Sequence, residues 1–132
     1  MKRIILAISI LFLLSLTIQT KNDPKLIGTW KGSEKNNQIE GVSKSWVMIR
    51  KSNGTYKIKF STKDEEGNSQ SFEEKGKWWT SGNQLFEQYE GSDKPAVYTY
   101  KILDDKTIYF KMTTSDTEFN NNNYEFIDKK IE

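Results

Sequence analysis

The stretch "SWVMIRKSNGTYKIKFST", Ser45 to Thr62, decides the fold. Trp46, Met48 and Arg50 alternate with Val47 and Ile49. After Asn53-Gly54, the residues Tyr56, Ile58 and Phe60 alternate with Lys57 and Lys59. Successive side chains of a β-strand point to opposite faces, so the second run is a half-buried strand. An Asn-Gly pair between two such runs marks a tight hairpin, because both residue types accept positive φ. Asn53-Gly54-Thr55 also matches a glycosylation sequon, but its place in the turn accounts for it.

Working outward, the same grammar recurs. The strands expected are Leu26–Gly32, Ser45–Lys51, Thr55–Thr62, Gln70–Trp79, Gln84–Glu90, Ala96–Leu103, Thr107–Thr114 and Tyr124–Ile131. Turn chemistry separates nearly all of them: Asp64–Asn68, Ser81-Gly82-Asn83, Gly91–Pro95, Asp104-Asp105-Lys106 and the Asn-rich Thr117–Asn123. "EKNNQIEG", Glu34 to Gly41, has one apolar residue and reads as a loop. Evenly spaced strands with short connections predict an all-β, eight-stranded antiparallel up-and-down barrel. Eight strands close on an interior that is either just filled or able to hold one small ligand.

The first eighteen residues differ: Lys2 and Arg3 precede an apolar run from Ile4 to Ile18. This is the layout of a secretory leader, read as residues 1–20 with a cut between Thr17 and Lys21. Fifteen helical residues span about 22 Å, short of the ~30 Å hydrocarbon core, which makes an uncleaved anchor the lesser alternative. No Cys follows the run, which excludes a lipoprotein anchor. Without Lys2 and Arg3 the mature domain, residues 21–132, carries 18 basic and 18 acidic side chains. Such a balance gives no electrostatic reason to expect nucleic acid. With no His and no Cys, the common general base, the thiol nucleophile and most transition-metal sites are missing. No catalytic residue, metal site or cofactor is therefore expected, and no stable membrane insertion once the leader is cut.

"LIGTWKG" puts Gly28-Thr29-Trp30 at the opening of the first strand. With "SNGTYKIKF", "GKWWTSGN" and the closing "YEFIDKK", it resembles the small bacterial lipocalin-like exported proteins of the calycin superfamily. The resemblance implies that Trp30, after Gly28, packs across the closed end of the barrel against a basic residue of the last strand, Lys129 or Lys130. Lipocalins proper usually supply Arg there and add a helix and often a disulfide, which this chain lacks. Fatty-acid-binding relatives carry an Arg-x-Tyr near the last strand, and "YEFIDKK" does not.

In "QSFEEKGKWW" the parity puts Trp78 with Phe72, Glu74 and Gly76, leaving Trp79 on the outer, mostly charged face. A loop such as Gly32–Gly41, lysine stems, a face-switching bulge at Gly76 or a protein partner are the readings for Trp79. Arg50, the sole arginine after the leader, is either solvated at its strand end or suited to a ligand carboxylate. Tyr56, Phe60, Trp78, Tyr98, Tyr100, Tyr109, Phe110, Tyr124 and Phe126 are expected in the interior, as filling or as a pocket lining. The sequence thus points to a non-enzymatic binder of a small apolar or amphipathic molecule outside the cytoplasm, periplasmic or secreted. The alternative is a protein-interaction module, inhibitor or immunity-like, with a filled barrel and a contact surface at Trp79. Cell fractionation is expected to recover a chain shortened by about 20 residues outside the cytosol; full-length cytosolic chain refutes export.

Overall fold

The computed structural model describes residues 22–35, 39–114 and 124–132; the leader and the Asn-rich Thr117–Asn123 lie outside them. A 3-10 turn, Pro24–Leu26, precedes β1 (Gly28–Lys35), β2 (Ser43–Arg50), β3 (Thr55–Lys63), β4 (Ser69–Ser81), β5 (Gln84–Tyr89), β6 (Ala96–Asp104), β7 (Thr107–Thr114) and β8 (Glu125–Lys130). Each strand pairs antiparallel with its successor, and β8 returns to β1 through Trp30↔Lys130 and Lys31↔Lys129, closing the barrel. Closure removes both sheet edges. The expected all-β, up-and-down barrel is the fold observed.

Parity assigns the two faces. Trp30, Trp46, Met48, Arg50, Tyr56, Ile58, Trp78, Leu85, Ile108, Phe110 and Asp128 are buried, and their strand neighbours are mostly exposed or half-buried. Val47, Leu103 and Ile127 lie outside and exposed. The hairpin at Asn53-Gly54 forms, but as a turn over Lys51–Gly54 in which the Gly54 N–H donates to Lys51 O at 3.1 Å. Gly54 takes φ +82°, so the glycine serves as the left-handed residue after a type I-like turn. Asn53 Oδ1 accepts from the Thr55 N–H and hydroxyl at 3.0 and 2.6 Å. The sequon asparagine thus stitches its own turn.

The two ends of the barrel differ. At one end the connections are short: Lys51–Gly54, Gly82-Asn83 and Asp105-Lys106. The segment before β1 crosses this end as a plug. Leu26, expected within the first strand, belongs instead to the 3-10 turn and is fully buried. Asp23 caps that turn by accepting from the Lys25 N–H at 3.0 Å and also accepts from the Tyr100 hydroxyl at 2.7 Å. Asn22 exchanges hydrogen bonds with Trp78 O and Thr80 N. The Trp30 indole donates to Leu26 O at 3.0 Å. At the other end the fully described connections are Asp64–Asn68, between β3 and β4, and Glu90–Pro95, between β5 and β6.

Two glycines allow close approach. A Cβ on Gly32 would stand 2.3 Å from the Trp46 ring, and one on Gly76 would stand 2.1 Å from Gln88 O. Gly76 pairs with both Tyr56 of β3 and Tyr89 of β5, where the long β4 passes from one partner to the next. No face switch occurs there: Glu74, Gly76 and Trp78 stay inward. Gly76→Ala is expected to cost about 1–3 kcal/mol, since backbone and not a flexible side chain must move. Gly82→Ala meets no atom within 4 Å and costs only backbone strain, about 1 kcal/mol. Urea denaturation of the two variants checks the difference.

Candidate functional site

A polar chain spans the barrel interior between β2, β5 and β8. Arg50, at the end of β2, is 2% exposed. Its Nη2 and Nε donate to Glu87 Oε1 of β5 at 2.9 and 3.3 Å. The same Nη2 lies 3.8 Å from Asp128 Oδ2 of β8, and Asp128 Oδ1 accepts from the Trp46 indole at 2.8 Å. The guanidinium faces Phe110 at 5.3 Å. Arg50 is thus neither solvated nor free for a ligand carboxylate at those nitrogens; the partner carboxylates are internal. Its Nη1 is buried with no hydrogen-bond partner among the described residues.

This chain is a floor. Toward the plugged end the barrel is filled: Trp30, Trp78, Leu26, Leu85 and Ile108 are at most 1% exposed, and Phe110, fully buried, packs against the guanidinium. The Trp78 indole donates to Lys51 O. Trp78, Tyr100 and Tyr56 therefore belong to the closed half, with the Tyr100 hydroxyl spent on Asp23. Above the floor, inward-facing rings remain within reach of solvent. Phe60 and Phe72 pair across β3 and β4 with centroids 4.9 Å apart; Phe72 is 46% exposed although it faces inward. Phe126 touches Trp46, Tyr98, Phe110 and Tyr124 at 5.0–5.7 Å between centroids. Phe60, Tyr98 and Phe126 are half-buried. Tyr124 is buried and hydrogen-bonded to Glu34, and burial first, then Glu34, raises its hydroxyl pKa.

Four further placements correct or sharpen expectations. Tyr109 faces outward and meets Glu125, not the interior. Lys130, not Lys129, provides the cation over Trp30, its Nζ 5.6 Å from a ring centroid. Lys129 is exposed, lining a shallow outer groove with Asp104 and Lys106. Gly28 makes room for Lys130, whose Cε would lie 3.0 Å from an added Cβ. Trp79 points outward, half-buried, and stacks on its cross-strand neighbour Phe86 at 5.4 Å and 4°. Neither a loop nor a lysine stem is needed to cover that face of the indole.

Glu34, Lys44, Trp46, Glu74, Glu87 and Asp128 were not singled out from sequence. For Trp46, Glu74, Glu87 and Asp128 the available signal was parity, since each is a polar or amphipathic residue on the inward, otherwise apolar face of its strand, whereas Glu34 and Lys44 lie in the parts of β1 and β2 that extend beyond the expected strands. Among the described residues no cluster of His, Cys, Asp and Glu is placed to hold a metal ion. The arrangement offers a sealed base, a charged floor and an accessible aromatic wall.

A family model described as a lipocalin-like domain matches residues 26–110. The chain belongs to the lipocalin-like domain family, whose barrel commonly binds small hydrophobic ligands and is generally non-enzymatic. Among solved structures it is similar to a de novo designed fluorescence-activating β-barrel, at TM-score 0.45 and 14% identity, covering 80% of this chain and 94% of that one. No curated protein sequence matches it.

Burial pushes the Asp128 carboxyl above its ordinary range, against Arg50 and the Trp46 hydrogen bond, which pull it down. The folded state therefore holds this proton more tightly than the unfolded chain. The resulting stabilisation is present at low pH and is lost as pH rises from the unfolded carboxyl's pKa through the raised folded one. Wild-type stability minus that of Asp128→Asn is expected to fall across this window and then level, as measured by urea midpoints at stepped pH. Glu87→Gln, which leaves the buried guanidinium short of its nearest anion, is expected to cost about 2–4 kcal/mol.

Proposed function

We propose that the protein is an exported, non-enzymatic binder that holds a small apolar or amphipathic molecule in the open half of its barrel. One observation carries this: Phe60, Phe72, Tyr98 and Phe126, all on the inward face of their strands, keep solvent exposure while the core toward the plugged end is fully buried. That end is plugged by Leu26 and Trp30. Aromatic area left uncovered inside a closed wall favours an apolar guest by about 25 cal/mol per Å² buried. A concave apolar site with a few polar groups is the usual form of a small-molecule pocket. The leader read in residues 1–20 supports export.

The stacked Trp79 and Phe86 favour a second reading, in which the outer wall of β4 and β5 contacts a protein partner. Exposed aromatics often anchor such contacts. The two readings separate experimentally. Native mass spectrometry of the protein purified from its own host is expected to show a retained lipid-sized adduct. Phe126→Ala is expected to weaken binding of that molecule about tenfold or more, since it removes roughly 1.5–3 kcal/mol of apolar burial, while Trp79→Ala leaves it unchanged. A clean apo mass, with a co-purifying protein lost on Trp79→Ala, sinks the container in favour of the contact surface.

A further inference from the structure

The ionisable groups on the inner wall are unequal in sign. The described strands place Glu34, Glu74, Glu87 and Asp128 inward against Lys44, Arg50 and, at the plugged base over Trp30, Lys130. Arg50 is met by Glu87 at 2.9 Å and Asp128 at 3.8 Å. Above the floor the only described inward cation is Lys44, and both Glu34 and Glu74 act on it electrostatically. Its Nζ sits 4.5 Å from the Phe60 centroid and 5.9 Å from a Trp46 ring centroid. Ring faces carry the negative lobe of the aromatic quadrupole, so they attract an ammonium and repel a carboxylate. In addition, Glu34 Oε2 is buried with no hydrogen-bond donor among the described residues. An ammonium, with three donors and no acceptor, is the group that complements such an oxygen.

We propose that the open half of the barrel selects ligands bearing a protonated amine on an apolar or aromatic body, the amine seating where the Lys44 ammonium now lies, against Phe60 and Trp46 and between Glu34 and Glu74. Lys44 is then a built-in stand-in for the ligand head: it holds the cage when no guest is bound and swings to solvent on its flexible stem when one arrives. The apolar body lies along Phe72, Tyr98 and Phe126. A fatty acid entering the same way brings its carboxylate against two carboxylates and two ring faces, with Lys44 as its sole attraction.

The inference rests on the container reading and narrows it to a ligand class, so the test separates the two. Calorimetric titration at pH 7 with decylammonium and decanoate below their micelle concentrations, and decanol below its solubility limit, compares three heads on one chain. The ammonium is expected to bind about tenfold tighter than the alcohol, as one partly desolvated cation–π and ion-pair contact implies, and the carboxylate weakest. Lys44→Met, which keeps the stem length and removes the competing charge, is expected to raise ammonium affinity about tenfold. Glu34→Gln and Glu74→Gln are each expected to lower it severalfold, with near-ultraviolet circular dichroism confirming that the aromatic packing is kept. Decanoate binding tightest, and losing its affinity in Lys44→Met, overturns the ligand class and leaves the container standing. No binding of any of the three overturns both.

Discussion

A single guanidinium organises this molecule. Arg50 reaches across the barrel from β2 to Glu87 on β5 and Asp128 on β8, with Trp46 fixing the second carboxylate. Taking such ions out of water is expensive and is offset only where geometry and hydrogen bonding are good. A pair of apolar side chains of equal volume would pack as well here. What the charged chain adds is connection: it ties three strands that are not neighbours in the sheet. Toward the plugged end the interior is filled, and away from it the inward aromatic side chains keep solvent exposure.

The lower half depends on local chemistry more than on charge. Asp23 both caps the 3-10 turn and receives the Tyr100 hydroxyl, which sets the angle at which the chain enters β1. Leu26 is then delivered to the base, and its carbonyl meets the Trp30 indole. Gly32 lets the Trp46 ring lie against the β1 backbone, so that the indole N–H can face Asp128. Each step constrains the next. The base, the Trp46 orientation and the floor form one continuous packing unit.

The strands were legible in the sequence because a half-buried antiparallel strand writes its burial into a period of two. Turn residues then mark the breaks, and the bounds of every strand except β1 fall within two residues of those read from the sequence. The outward direction of Trp79 was legible for the same reason, whereas its stacking partner Phe86 was not, because cross-strand register depends on where the turn closes. The plug has no such signature, because three residues carry no period. Arg50 stands out by its rarity, but its carboxylates lie 37 and 78 positions away, and only the closed topology brings them together. Glu34 and Lys44 fall outside the strands read as Leu26–Gly32 and Ser45–Lys51, and only the longer β1 and β2 place them on the inner wall beside Phe60, Trp46 and Tyr124.

Both ends of the described polypeptide meet at the plugged base. Asn22 is tied to Trp78 and Thr80, and the Glu132 carbonyl accepts from the Thr29 N–H. A tag, a fluorescent reporter or a sensor surface joined beside Asn22 or Glu132 therefore attaches at the plugged base. The same scaffold can be immobilised from below while its rim loops are diversified from above, which is the geometry a capture reagent needs.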